Sequence, residues 1–272
     1  MTMSSRSDAV PTPGRTAVSP FWVTIALITG LYLLFIVAML FATATHSAPG
    51  DLLRALESRQ IQYSIFLSLL TCSVTALLSL LIAVPAGYLL ARGKFRGRSL
   101  LETALDIPIV LPPMVIGLCL LILFQTRFGG LVEGVIPFTY TVFGVVLAQL
   151  VIGAAFAIRT MHGTFEGMSP RPEEVAMTLG CSRGKAVWLV TLPAAWKGML
   201  AAMSIAWARS LGEFGPVLVF AGATRMRTEV LPTTVWLELS VGNLESAVAV
   251  SLLMVAFAML VLVAIRWVGQ KV

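Results

Sequence analysis

RPEEVAMTLGCSRGKAVWLVTLP, residues 171–193, separates two long apolar runs. Ser169 is placed to cap a helix whose first turn holds Pro170, Pro172, Glu173 and Glu174. Prolines and acidic side chains are favoured there, beside unpaired amides and the positive end of the helix dipole. Val175, Ala176 and Leu179 give this helix a small apolar face, and Gly180 is placed to end it in the left-handed conformation. Ser182 then caps a second short helix, Arg183 to Thr191, predicted to stop at Pro193. The stretch reads helix, glycine break, helix, proline break; a solvated loop that happens to be helical is the plain alternative.

Composition says what the stretch is set in. The 272 residues are 58% hydrophobic and only 12% charged, which excludes a soluble domain and points to an all-α protein crossing the membrane several times. The net charge of +6 raises nucleic acid as a partner. The Lys and Arg lie at the ends of apolar runs, however, where membrane orientation explains them better. Cys72, Cys119 and Cys181 lack paired spacing and read as packing residues.

Six spans follow from the apolar runs, at about 21–42, 63–91, 100–124, 141–158, 194–221 and 246–265. Residues 1–20, rich in Ser, Thr and Pro, read as a disordered cytoplasmic tail. The first run is too long for the apolar part of a signal peptide, so it reads as an uncleaved anchor. Pro108 and Pro112-Pro113 are predicted to break the third span, which carries Glu102 and Asp106 near one end. Backbone freed by proline must be buried in protein or line a cavity. Arg92, Lys94, Arg96 and Arg98 after the second span give the strongest positive-inside signal, and Arg159, Arg171, Arg183, Lys185, Lys197, Arg266 and Lys271 agree with it. Both termini are therefore expected in the cytoplasm. Trp22, Trp196 and Trp267 fall near the inner interface and Trp236 near the outer one.

The segment 171–193 resembles the cytoplasmic coupling loop of the ABC-importer permeases of type I. The family pattern runs Glu-Ala-Ala, three residues, Gly, nine residues, an aliphatic, one residue, Leu-Pro. Glu174, Ala176, Gly180, Val190, Leu192 and Pro193 meet it, and Val175 departs from the first Ala. PAGYLLAR at 85–92 is similar to the family's corresponding helix end. The resemblance covers about residues 63–267. It implies a transmembrane permease domain over 21–272 whose coupling loop, about 161–195, docks into a separate ATPase subunit through Glu173, Glu174, Ala176, Gly180 and Arg183. It also implies two permease copies as a homodimer, an extracytoplasmic substrate-binding protein, and residence in a bacterial or archaeal inner membrane. ATP and magnesium would be held by the ATPase, with no cofactor on this chain and no enzymatic activity of its own.

Five spans hold a clean apolar stretch; the fifth does not. ARSLGEFGPVLVF places Arg209 and Glu213 four residues apart, on one helix face, where they are able to pair. A charge at that depth costs roughly 2.5–3.5 kcal/mol on insertion scales, so both should face protein or water. Either they neutralise each other and pin the helix, or they border the transport path and switch it; these readings are compatible. Gly212, Gly215 and Pro216, with Phe214 between them, allow close packing and a bend. The runs IVLPPMVIG at 109–117 and ARSLGEFGPVLVFAGATRMRTEVLP at 208–232 look like the molybdate, tungstate and sulfate permeases, and most like the molybdate and tungstate kind. In that branch the fifth helix lines the pore and carries the gate.

Arg225 and Arg227 fall in the outer segment, against the positive-inside trend. They suit an anionic substrate, or the acidic rim of a binding protein, at the outer vestibule; pairing with Glu229 is the local alternative. The nearest approach to a phosphate-binding loop, GCSRGKA at 180–186, has three residues between its glycines where four are needed, and Ala where Ser or Thr must hold magnesium. His46 and His162 stand alone in the sequence, so neither a metal site nor a catalytic triad is expected. A secondary transporter driven through Glu213 and Asp106 is the competing class, and a channel or scaffold needs no coupling loop.

Overall fold

The computed structural model describes residues 20–45 and 49–271. The tail predicted over 1–20 lies outside them apart from Pro20, as does His46. Two units are present, Met1–His46 and Ser47–Val272. The first contains α1 (Pro20–Thr45), an unbroken helix whose Phe21–Thr45 part has a mean hydropathy of 2.6, long enough to cross a bilayer.

The second unit is built of helices joined by turns, with no strand among its described residues. In order come α2 (Pro49–Glu57), α3 (Arg59–Arg92), α4 (Arg98–Val110), α5 (Pro113–Gln125), α6 (Arg127–Glu133) and α7 (Val142–Gly167). There follow α8 (Arg171–Thr178), α9 (Arg183–Ala186), a π-helical turn (Val187–Thr191), α10 (Leu192–Ala194), α11 (Trp196–Leu211), α12 (Gly215–Phe220), α13 (Leu231–Ser240) and α14 (Leu244–Lys271). Four helices, α1, α3, α7 and α14, are long and apolar enough to span a membrane unaided. Two bent pairs, α4 with α5 and α9–α10 with α11, bring the number to six among the described residues when each counts as one span. The first matches the third predicted span; the fifth, predicted over about 194–221, is instead α11 and α12 parted at 212–214, and the second pair begins earlier, at Arg183.

Helix α3 is the axis against which α7 and α11 pack. At about 1.5 Å per residue its 34 residues extend for about 50 Å, well beyond a hydrocarbon core of about 30 Å. Its buried face carries Ser64, Ser68, Thr71, Cys72, Thr75, Ser79, Ala83 and Gly87. That spacing puts small residues on one stripe, and small side chains let helix backbones approach. At Gly87 a Cβ would lie 2.7 Å from Cβ of Met161 on α7, so only glycine fits. Three of the stripe's hydroxyls meet polar partners on other helices or loops: Thr75 donates to Gln149 Oε1 at 3.2 Å, Ser68 Oγ accepts the Leu231 amide at 2.8 Å, and Thr234 donates to Ser64 at 3.0 Å. One apolar cluster gathers Phe165, Met161 and Trp207 around this axis; a second gathers Ile116, Val145, Ile152, Val217 and Phe220.

The proline break in the third span falls at one of the two predicted places. Pro108 stays inside the last turns of α4, while Leu111 (ψ 140°) and Pro112 (ψ 133°) are extended, and the chain turns 110° into α5. A lone proline close to a helix end costs one ladder bond that is about to lapse anyway. Two in succession remove adjacent donors and force the residue before them out of the helical region. Beyond the break, α5 packs on α12 at glycines on both sides. A Cβ on Gly117 would come within 2.9 Å of the Pro216 Cα, and one on Gly215 within 3.0 Å of the Met114 amide.

Pro193 does not stop its helix, contrary to expectation. Residues 187–191 widen into a π turn, in which the Leu192 amide reaches back to the Val187 carbonyl, and α10 continues through Pro193 to Ala194. A turn with bonds from i to i−5 leaves room for the proline ring that an ordinary turn denies it. The change of direction comes at Ala195, where the chain bends 72° into α11.

Candidate functional site

The stretch from α8 to α10 forms an elbow at the Arg92 end of α3. Gly180 has φ +94°, the left-handed conformation predicted for it, and is exposed with open space about its Cα. The first cap differs slightly from prediction: Ser169 Oγ accepts the Arg171 amide at 3.4 Å, while Pro170 occupies the cap position. Ser182 caps α9 through the Lys185 amide at 3.5 Å, as its position suggested.

The acidic pair on α8 is divided. Glu174 is exposed, whereas Glu173 is only 7% exposed. Glu173 Oε1 accepts from the Tyr88 hydroxyl of α3 at 2.6 Å, and its Oε2 accepts from Thr191 of the π turn at 2.9 Å. The residue predicted to face a partner is thus an internal strut joining α8, α3 and the elbow. Arg92 adds a second tie, donating from Nη2 to the Met168 carbonyl at 2.7 Å. The faces left outward are Val175, 56% exposed, and Leu179, 81% exposed, beside the half-buried Ala176 and the exposed Arg183. An exposed leucine and valine flanking a left-handed glycine make a compact apolar tip suited to close contact with another protein.

Arg209 and Glu213 do pair, at 2.8 Å, with 36% of the arginine side chain exposed and 2% of the glutamate. Helix α11 ends at Leu211, so Glu213 lies in the break before α12 rather than on a continuous helix. The approach of Glu213 Oε1 is that of an ion pair and lacks hydrogen-bond direction. The guanidinium also lies 5.3 Å from the Phe156 ring centroid on α7, a cation–π distance. Gly215 and Pro216 are buried against α5, while Gly212 is exposed and closes α11. The close packing predicted for the glycines is seen at Gly215, while Gly212 lies where the chain leaves α11. Phe214 sets its ring 6.1 Å from that of Trp236.

On the opposite end, a cavity of about 350 Å³ is lined by Arg54, Gln60, Arg225, Glu229, Glu238 and Asn243, among others. Arg225 is held by Gln60 Oε1 at 2.6 Å and by Glu238 Oε1 at 3.0 Å, so its partner is Glu238 rather than Glu229. Arg227 keeps an exposed side chain, and its carbonyl accepts from Tyr63 at 3.1 Å. Glu229 is 1% exposed, with Oε2 unpartnered. Burial pushes its carboxyl above the usual range, against the opposing pull of Thr234 and Arg225.

His162 does not stand alone. It lies 3.7 Å from Glu102 and 4.0 Å from Glu166, with Arg98 at 3.5 Å, and Asp106 pairs with Arg159 at 2.9 Å in the same α4–α7 seam. The spacing of His162 to Glu166 was legible as one helical turn, whereas Glu102 arrives from another helix. Among the described residues no group of three His, Cys, Asp or Glu side chains is placed to hold a metal ion.

A polytopic helical protein with a structured elbow at one end of its axis, tied inward and presenting an apolar tip outward, has the build of a transport subunit. The chain belongs to the family of binding-protein-dependent transport system inner membrane components, which it matches over residues 83–272. Members of this family are transport components of the inner membrane and not catalysts. The chain is 31% identical to the probable molybdenum ABC transporter permease protein of Haloferax volcanii, over 90% of its own length and 89% of that protein. It is 33% identical to the molybdenum transport system permease protein ModB of Mycobacterium tuberculosis, over 90% and 93%. Its fold is that of a permease in a solved bacterial alginate ABC transporter complexed with an alginate-bound periplasmic protein: TM-score 0.73 at 14% identity, covering 93% and 96% of the two chains.

Proposed function

We propose that this chain is the membrane-spanning subunit of an ATP-driven importer for a tetrahedral oxyanion, molybdate or tungstate. The observation that carries the reading is likeness to molybdenum permeases along nine-tenths of the chain, coupling segment included. The partners in this reading are an ABC ATPase, which holds ATP and magnesium, an extracytoplasmic binding protein, and a second copy of this chain. The elbow and both termini face the cytoplasm.

Transmission follows from the two bonds of Glu173. A partner gripping the α8 tip at Val175, Leu179 and Gly180 moves α8. Through Tyr88 that motion reaches α3, and through Thr191 it reaches the π turn, the bend at Ala195 and then α11. Helix α11 ends on Arg209 and the Glu213 break, the gate in this reading. A gate there swings where helix α11 is already interrupted, so opening breaks few backbone bonds. At the outer face Arg225 and Arg227 receive the anion or the binding protein's acidic rim.

The test is reconstitution in liposomes with the ATPase and binding protein. ATP-dependent molybdate uptake that tungstate blocks and sulfate does not is the expected result. Blocking by sulfate at equal concentration moves the assignment to sulfate, and uptake without the ATPase removes it.

A further inference from the structure

We propose that an anionic phospholipid occupies the cleft between α3 and the elbow, its acyl chain against α3 and its phosphate on Arg92, Lys94 and Arg183. Two cavities meet there. One, of about 450 Å³, is lined mostly by apolar side chains, Val84, Pro85 and Leu89 of α3 and Val187 and Leu192 of the elbow, with Tyr88 among them. The other, of about 530 Å³, carries Arg92, Lys94 and Arg183. Arg92, Gly93 and Arg183 border both, so the two adjoin, the apolar limb beside the basic one.

The place is the right one for a lipid. Arg92 closes a helix too long for the hydrocarbon core, so this end reaches the interface where headgroups lie. Leu89 is 46% exposed beside the apolar limb, and Trp188 and Leu189 on the elbow are 72% and 64% exposed. Exposed Trp and Leu next to basic side chains mark an interfacial surface. Arg92 uses Nη2 on the Met168 carbonyl and borders both cavities, so the rest of its guanidinium is held at their junction. Two carboxylates also line the basic limb. Glu173 is engaged by Tyr88 and Thr191, and Glu174 is exposed; three cations outweigh them. A free anion would match the basic limb and leave the apolar one unfilled. A phospholipid with an anionic headgroup fills both, and juxtamembrane cations favour that headgroup over a zwitterionic one.

The inference goes beyond the transport reading and stands without it, because lipid retention is measured with no substrate, ATP or partner. The full chain, purified in mild detergent, is equilibrated with equimolar phosphatidylglycerol and phosphatidylcholine and examined by native mass spectrometry. Wild type retains phosphatidylglycerol preferentially. The double variant Arg92→Gln/Lys94→Gln lowers that retention at least about tenfold. Leu89→Trp, which fills the apolar limb without altering charge, lowers it as well and guards against a charge variant that folds poorly. Equal retention of both lipids by wild type overturns the proposal, as does undiminished retention in Leu89→Trp. Release of phosphatidylglycerol by millimolar inorganic phosphate assigns the site to a free anion, and release on adding the ATPase assigns it to that partner; either result overturns the lipid assignment.

Discussion

Removing the Glu173 carboxylate should separate ATP hydrolysis from transport. Glu173→Ala deletes the acceptor for Tyr88 at 2.6 Å and for Thr191 at 2.9 Å. A hydrogen bond to a charged group contributes about 1.5–3 kcal/mol, and an orphaned buried hydroxyl adds a desolvation penalty of about 1–3 kcal/mol. Thr191 is 4% exposed and bears that penalty fully; Tyr88 is half-buried and finds water. With water taking the place of the Tyr88 bond, the loss is set by Thr191, about 2.5–6 kcal/mol, enough to loosen α8 without unfolding a long helical bundle. Glu173→Gln is milder, because its carbonyl accepts from Tyr88 while its amide donates to Thr191. The assay is the ratio of anion transported to ATP hydrolysed in proteoliposomes, together with thermal unfolding of the single and double variants. Glu173→Ala is expected to keep at least half of the ATPase rate and lose most of the transport. Tyr88→Phe and Glu173→Ala should show a coupling energy of about 1–3 kcal/mol in a double-mutant cycle on stability. Strict additivity in that cycle would refute the strut, and unchanged transport per ATP in Glu173→Ala would refute its role in transmission.

Three further outcomes follow from the geometry. A Cβ at Gly180 meets no neighbour within 4 Å, so the main cost of Gly180→Val is the left-handed backbone, about 1–2 kcal/mol; replacement by a bulky residue should uncouple or silence the ATPase, checked by hydrolysis and uptake in parallel. Reversing both outer arginines, Arg225→Glu with Arg227→Glu, should lower uptake while the protein still inserts. Arg227→Glu alone is the cleaner probe, since Arg225 also braces Gln60 and Glu238, and normal uptake by both variants removes the vestibule idea. Glu229→Gln should raise thermal stability at neutral pH and leave it unchanged well below pH 4.5. The folded carboxyl titrates above the usual 4.5, so the native state holds its proton while the unfolded chain releases it. Stability is therefore fully present below 4.5 and falls as pH rises to the folded value, a loss that the glutamine, having no proton to release, avoids. Unfolding midpoints across pH 4 to 8 decide it.

Much of the fold was legible because membrane segments announce themselves locally. Twenty apolar residues, a run of arginines and a proline pair are each read within one window; four of the six apolar runs appear as unbroken helices, the third as a bent pair, and the fifth as α11 and α12 parted at 212–214. The glycine break at 180 was legible for the same reason: one residue type tolerates that backbone. What escaped depended on other parts of the chain. Glu173 looks like any first-turn acid on a solvated helix, and only Tyr88, 85 residues earlier, turns it inward. His162 looked solitary because Glu102 reaches it from α4. Arg225 had Glu229 as a sequence neighbour, yet Glu238 lies one helix further on, and fold geometry chose between them. The π turn has no local signature, since Val187 to Thr191 would suit an ordinary helix; it is the proline two residues later that the wider turn accommodates.

In the proposed transport cycle, these long-range pairings would decide how the elbow transmits force. An elbow tied only to its own neighbours would flex when pushed, and motion at α8 would dissipate in the loops beside it. Glu173 instead reaches the long axis helix and the π turn at once, from a buried position where its bonds are shielded from water. The break after Leu211 is the complement at the far end of α11, a place where the helix yields. In the proposed transport cycle, a stiff joint near the applied motion and a compliant one near the charged pair would concentrate displacement at Arg209 and Glu213. Swapping the stiffness, by loosening Glu173 or by closing the break at Gly212 with a helix-forming residue such as alanine, should therefore impair transport in both cases, but only the first should leave ATP hydrolysis running unchecked.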